Sequence, residues 1–182
     1  KKSFEVQFLE AIDIFNNAVF SNKKTNLSLN KDFTKVKHEC DLVYLDPPYY
    51  SKYSDNEYVR RYHFIEGLVK NWKDVEIQEE SIVKKFKKYP SMFDTKMGSY
   101  NAIKYLIEKY SEKIIVLSYS SNSLPTMEEI KEIAKYHNKK TKVIELDYTY
   151  SFGTQKKSSK MKSKIKEYIF IMKWQLKILK YG

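Results

Sequence analysis

The residues Asp46-Pro47-Pro48-Tyr49 carry the densest chemistry in the chain. The Asp46 carboxylate accepts hydrogen bonds, and so does the backbone carbonyl of Pro47. Two acceptors held side by side can take both hydrogens of an exocyclic amine on a heterocyclic base. Such an amine is a weak nucleophile, because its lone pair is delocalised into the ring. Holding both hydrogens draws the nitrogen toward tetrahedral geometry and stabilises the positive charge that grows on it during attack. The prolines restrict the backbone that aims the two acceptors. Tyr49 offers an aromatic face on which an extruded base can stack. With an electrophile held in line, proximity supplies much of the rest, and no metal is needed.

These residues need an element that ends where they begin. Leu42-Val43-Tyr44-Leu45 is an apolar run that leads straight into them, the pattern of a buried strand. The prolines end it, since neither can donate to a ladder. Upstream, Phe4, Phe8, Ala11, Ile12, Phe15 and Val19 recur at helical spacing and predict an amphipathic helix from about Phe4 to Phe20. A short strand is expected over Asn26 to Leu29, followed by Asn30 to Phe33. Downstream, a polar, tyrosine-rich loop runs to about Glu57. Helices are expected over Tyr58 to Trp72 and, highly charged, over Asp74 to Lys88, the latter broken by Tyr89-Pro90. A further helix is expected over Tyr100 to Tyr110 and a buried strand over Lys113 to Ser118, opening into the polar stretch Tyr119-Ser120-Ser121-Asn122. Thr126, with Glu129 three residues on, predicts a capping box for a helix to about Tyr136. Strands over Lys142 to Tyr150 and Glu167 to Trp174 flank a basic loop from Lys156 to Lys166.

Helices alternating with buried strands imply an α/β fold: a Rossmann-like, mainly parallel sheet with helices on its faces. The last two strands form an antiparallel edge hairpin. One domain, residues 1–182, is expected. In open α/β sheets ligands bind beyond the carboxyl ends of the strands. Asp32-Phe33, Asp46 to Tyr49, and Tyr119 to Asn122 all fall at such ends.

Composition narrows the function. The net charge of +11, from 34 basic and 23 acidic residues, favours a polyanionic partner. A generally lysine-rich composition accounts for the same surplus. The 16 tyrosines suit base stacking and core packing alike. The lone Cys40 excludes an internal disulfide framework and, with no secretory pattern at the N-terminus, points to the cytoplasm. Cys40 and the three histidines have no metal-ligand spacing, so no metal is expected. No apolar run is long enough to cross a bilayer. The glycines, Gly67, Gly98, Gly153 and Gly182, lie far apart and build no glycine-rich cofactor turn.

The segment Asp41 to Tyr50 resembles the fourth motif of amino-group DNA methyltransferases, in particular the Dam-like, adenine-specific D-twelve class. Tyr53-Ser54-Asp55 and Arg61 to Leu68 resemble the loop and helix that follow that motif. Weaker likeness extends to Ala18-Val19-Phe20, Asn30 to Phe33, Tyr119 to Ser123 and Tyr150 to Gly153, so that it runs from about Glu10 to Trp174. The resemblance implies a class I methyltransferase sheet, incomplete at its N-terminus. The family's glycine-rich turn after the first strand is not found, nor is its acidic ribose-binding residue.

It also implies a function: the catalytic half of a site-specific enzyme of a restriction-modification system, which methylates N6 of an extruded adenine in DNA using S-adenosylmethionine. Asp46, Pro47, Pro48 and Tyr49 are then catalytic. Asp32 matches the residue that accepts from the adenine amine of the cofactor, and Phe33 the one that packs beside its ring. A turn cap and a core residue are the structural alternatives for these two. Tyr50, Arg61, Tyr119, Asn122 and Phe152 are candidates for shaping the target pocket or guiding the extruded nucleotide. Lys156 and Lys157, with Lys160, Lys162, Lys164 and Lys166, are candidates for tracking phosphates, as are Lys84, Lys85, Lys87 and Lys88. Three alternatives stay open. The chain is one part of a split enzyme, whose second subunit carries the glycine-rich motif and target recognition. It is a non-catalytic nucleic-acid-binding remnant. Or the methylated amine is cytosine N4 or adenine in RNA.

Overall fold

The computed structural model describes residues 2–52, 58–80, 82–87, 89–149 and 164–175. The chain divides into two compact units, Lys1–His38 and Glu39–Gly182. Each is described by itself.

In the first unit, helix α1 spans Phe4–Ala18. Ser3 caps it, its hydroxyl accepting from the Val6 amide at 3.3 Å. The predicted stripe is present, and the Phe4 and Phe8 rings lie 6.1 Å apart, but the helix buries no residue. Val19 is already extended, so the helix ends before the predicted Phe20. The strand expected over Asn26 to Leu29 does not form. An extended segment becomes a strand only when a neighbour completes its ladder, and among the described residues this one has none. Phe33–Lys35 form a single 3-10 turn capped by Asp32.

The second unit is built on one sheet of four strands: β1 (Leu42–Leu45), β2 (Ile114–Ser120), β3 (Lys139–Thr149) and β4 (Lys164–Trp174), in the order β1-β2-β4-β3. β1 and β2 are parallel, with Leu42 beside Ile114 and Leu45 beside Leu117. β4 runs antiparallel to both β2 and β3. Three strands therefore share one direction, and the expected late hairpin is β3–β4, with β3 at the edge.

Alternation along the strands sorts the sheet into two faces. Ile115, Leu117, Tyr119, Phe170 and Met172 point to one face and are buried. Helices α4 (Lys96–Lys109) and α5 (Met127–Tyr136) add Ala102, Ile103, Leu106, Ile107, Ile130, Ile133 and Ala134 to this core. The opposite face carries Leu42, Tyr44, Ile144 and Leu146, with Tyr44 58% exposed. The run Leu42 to Leu45, which reads as a strand buried on both sides, is instead half-buried on one, at Val43 and Leu45, and exposed on the other.

The segment between β1 and α4 departs most from expectation. Its single predicted helix is two, α2 (Tyr58–Arg61) and α3 (His63–Val69), interrupted at Tyr62. Asn71, Trp72 and Asp74 then take positive φ angles of 50, 57 and 55°. This turns the Trp72 ring back onto the buried Gly67, where an added Cβ would lie 2.8 Å from ring carbons. The charged helix expected from Asp74 to Lys88 is instead a tight return, bridged at Ile77 and Phe86. Phe86 is fully buried and meets the Trp72 ring edge-on at 5.8 Å. Burying that one ring outweighs the weak helical propensity of the charged residues around it.

Candidate active site

β1 delivers Asp46 to the carboxyl end of the sheet and stops there. Asp46 is exposed, Pro47 is buried, and Pro48, Tyr49 and Tyr50 are half-buried. The turn is pinned from three sides. Tyr50 accepts from the Leu124 amide at 2.9 Å, which ties it to the loop after β2. The Tyr49 amide reaches the Tyr58 hydroxyl at 3.5 Å, at the start of α2. The Tyr49 ring stands edge-on to Tyr119, with centroids 5.3 Å apart.

The Tyr49 hydroxyl donates to Asp46 Oδ1 at 3.2 Å and accepts from the Ser118 side chain. Partial burial, reinforced by the nearby charges of Asp46 and Glu167, raises its pKa well above the ordinary tyrosine value. Tyr49 is therefore a neutral donor throughout the physiological range. It engages one oxygen of Asp46 and orients the carboxylate without neutralising it. The rest of this exposed carboxylate faces solvent, where a substrate amine can reach it. Among the described residues, no donor bonds to the Pro47 carbonyl.

Tyr119 is 1% exposed, on the helix-covered face of β2. Its hydroxyl donates to the Leu124 carbonyl at 2.6 Å, which also accepts from Ser99 at 3.0 Å. Burial pushes its pKa up to about 12. Tyr119 is thus the wall behind Tyr49, not a surface of the pocket. Asn122 is exposed just beyond β2, with its Oδ1 accepting from Ser120 at 3.0 Å and from Ser123 at 3.5 Å. Arg61 is exposed and lies over the Tyr58 ring at 6.0 Å. A cavity of about 210 Å³ opens beside the turn, lined by Pro48, Tyr58, Val59, Tyr89, Pro90, Ser91 and Asp94.

Asp32 and Phe33 lie in the first unit. Asp32 caps the 3-10 turn, accepting from the Thr34 amide at 2.9 Å and from the Thr34 hydroxyl, and Phe33 beside it is half-buried. Phe152, Lys156 and Lys157 lie outside the described residues. Of the second basic stretch, Lys84 pairs with Glu79 and Lys87 with Glu76, so those two charges are met within the return itself.

One site residue escapes sequence reading. Glu167 on β4 pairs in register with Ser120, and burial, followed by the charge of Asp46, raises its pKa above the ordinary glutamate value. More than a hundred residues separate Glu167 from Asp46 in the chain, and only the register of β4 brings them together.

The family model of D12 class N6 adenine-specific DNA methyltransferases matches residues 1–133. The chain is 33% identical over 165 residues to the Type II methyltransferase M.FokI of Planomicrobium okeanokoites, covering 89% of this chain and 24% of that protein. It is 31% identical over 152 residues to the Type II methyltransferase M2.HphI of Haemophilus parahaemolyticus, covering 82% and 41%. It is 26% identical over 136 residues to the modification methylase StsI of Streptococcus sanguinis, covering 74% and 20%. The chain thus spans less than half the length of these curated relatives. No solved structure gives a significant match.

Proposed function

Because the chain belongs to the D12 class of N6 adenine-specific DNA methyltransferases, we propose that its Asp46–Tyr49 turn methylates the N6 amine of adenine in DNA. The observation that carries this reading is the Asp46 carboxylate: exposed at a strand end, oriented by the Tyr49 hydroxyl at 3.2 Å, and followed by the Pro47 carbonyl. Asp46 and that carbonyl accept the two amine hydrogens. Asp46 also stabilises the positive charge that builds on the nitrogen, an electrostatic contribution that a rigid turn makes without reorganising. Tyr49 stacks on the base, and Tyr119 keeps its ring upright.

When bound, S-adenosylmethionine supplies an electrophilic methyl group on a sulfonium. For its nucleoside end the family resemblance offers Asp32 and the half-buried Phe33, adjacent at one turn, where Asp32 Oδ1 is engaged in capping Thr34. The described residues offer no glycine cradle for its methionine end. Gly67 is filled by Trp72, and a Cβ on Gly98 would lie 2.1 Å from the Met92 carbonyl. DNA is the proposed partner, drawn by the net charge of +11. The cytoplasm is the proposed location, and no described helix is long and apolar enough to cross a membrane. Restriction-modification is the proposed context, supported by the names of the relatives, two Type II methyltransferases and a modification methylase.

The test is transfer of labelled methyl groups to adenine-containing duplex DNA by the wild type and by Asp46→Ala. Loss of an electrostatic acceptor at the reacting atom should lower the rate by roughly a hundredfold or more, with the circular dichroism spectrum unchanged. Undiminished transfer by the variant would remove Asp46 from the mechanism.

A further inference from the structure

We propose that the cavity beside the Asp46–Tyr49 turn is a slot for a second nucleobase, the neighbour of the target adenine on the same strand. Tyr58 and Tyr89 are its stacking walls, and Arg61 beside it meets the phosphate between the two bases. That the base is the target's neighbour rests on the methyltransferase reading; that the cavity takes a base does not.

The position of the cavity separates it from the reacting groups. Pro48 is the one residue of the turn in its lining, which includes neither Asp46, Pro47 nor Tyr49. A base held there does not lie against the two acceptors, so the slot is not the place of the reacting amine. It is close to that place all the same. Pro48 follows Pro47 directly, at a Cα step of about 3.8 Å. The repeat along one nucleic-acid strand is about 3.4 Å. The wall of the slot is thus offset from the acceptors by about one nucleotide.

The lining suits a flat ring. Tyr58, half-buried at the start of α2, and Tyr89, 40% exposed, bring two phenol rings to it, and Pro48, Pro90 and Val59 add apolar surface. The volume of about 210 Å³ lies below the roughly 300 Å³ at which pockets for drug-sized ligands begin, so one ring system fits and a whole nucleotide does not.

Charge decides which part of a nucleotide enters. The charged group in the lining is the Asp94 carboxylate, whose Oδ2 accepts from the Ser91 amide at 3.0 Å. It repels a phosphate and accepts hydrogen bonds from base N–H groups. The positive charges stand beside the cavity and not in its lining. Arg61 lies over the Tyr58 ring at 6.0 Å, and Lys70 lies over the Tyr89 ring at 5.5 Å. Lys70 shares its charge with Glu66 at 3.0 Å, which leaves exposed Arg61 as the better phosphate partner. Aromatic walls with cations alongside are what a single strand needs: the base stacks within, and the backbone stays outside.

Tyr58 also ties the slot to the turn, because its hydroxyl accepts from the Tyr49 amide at 3.5 Å. A base stacked on Tyr58 restrains that ring, and with it the backbone that follows Asp46.

The test is an NMR titration of this chain, isotope-labelled in its tyrosine rings, with a deoxyadenosine dinucleotide and with two analogues that each lack one base. The Tyr58 and Tyr89 ring signals should shift with the intact dinucleotide. It should bind roughly 5- to 150-fold more tightly than either analogue, the worth of one base stacked on an aromatic ring. Tyr89→Ala should lose that advantage, and Tyr89→Phe, which keeps the ring, should retain it. The wild-type comparison with the analogues stands without any variant. Tyr58 and Tyr89 signals that stay in place, or an advantage unchanged in Tyr89→Ala, overturn the slot. Ring signals that shift while all three ligands bind equally overturn the two-base arrangement. Asp46→Ala separates this inference from the catalytic reading: methyl transfer should be lost, while the Tyr58 and Tyr89 shifts with the dinucleotide remain.

Discussion

At the residue scale, Tyr49 joins two functions in one side chain. Its ring is a stacking face, and its hydroxyl aims Asp46 at 3.2 Å. The two separate by substitution. Tyr49→Phe keeps the face and loses the hydrogen bonds, worth about 1 kcal/mol, so methyl transfer should fall by roughly fivefold. Tyr49→Ala also loses the stack, worth about 1–3 kcal/mol, and should fall further by roughly 5- to 150-fold. Steady-state kcat/KM for the series checks the order. Glu167 makes a prediction of its own. A carboxyl whose pKa is raised on folding stabilises the folded state fully below its unfolded pKa, and that contribution is lost as pH rises through the folded value. Glu167→Gln has nothing to ionise, so the drop in stability that the wild type shows across that window should be smaller in the variant. Urea midpoints at a series of pH values measure it, and equal slopes would remove Glu167 as the cause.

At the element scale, the site depends on where α4 begins. Thr95 caps it through the Gly98 amide at 3.0 Å, and the 3-10 turn Met92–Asp94 folds directly over that end. The Met92 carbonyl comes so close to Gly98 that a Cβ would stand 2.1 Å away. In an open helix Gly→Ala is stabilising. Here Gly98→Ala should instead destabilise by about 1–3 kcal/mol, the usual cost of overpacking. Thermal unfolding gives the sign directly. The local signature Thr126 with Glu129 behaves as its sequence implies: Glu129 accepts from the Thr126 amide at 2.6 Å. The difference is one of range. A capping box is complete within four residues, whereas the place of Gly98 depends on a turn whose own shape is set by packing.

At the scale of the whole molecule, the charge surplus is not uniformly available to DNA. Lys84 and Lys87 face Glu79 and Glu76, and exposed pairs of this kind contribute little stability but do cancel local field. Lys84→Ala with Lys87→Ala should therefore leave the salt dependence of DNA binding almost unchanged. A lysine that neutralises a phosphate adds about 0.9 to the slope of log affinity against log salt, and its removal flattens the slope by that amount. Fluorescence anisotropy at several salt concentrations distinguishes the outcomes, and a slope flattened to the extent expected for both lysines would return them to the DNA surface.

The elements with local causes were legible in the sequence: the helix from Phe4, the capped α5, the strands at Leu42 and Ile114, and the turn at Asp46, where prolines must end a ladder. The chemistry of that turn was legible too, because an acid, a proline carbonyl and a tyrosine are adjacent in the chain. What tertiary structure alone decided was everything that depends on a partner distant in sequence. The order β1-β2-β4-β3 placed an antiparallel strand inside the sheet and not at its edge. Burial of Phe86 turned an expected helix into a return, since one ring removed from water outweighs the helical propensity of its charged neighbours. The β4 register set Glu167 beside Ser120 and within the field of Asp46. A one-residue slip would have turned it to the other face, and periodicity within a strand does not reveal which residue of a distant strand it will meet.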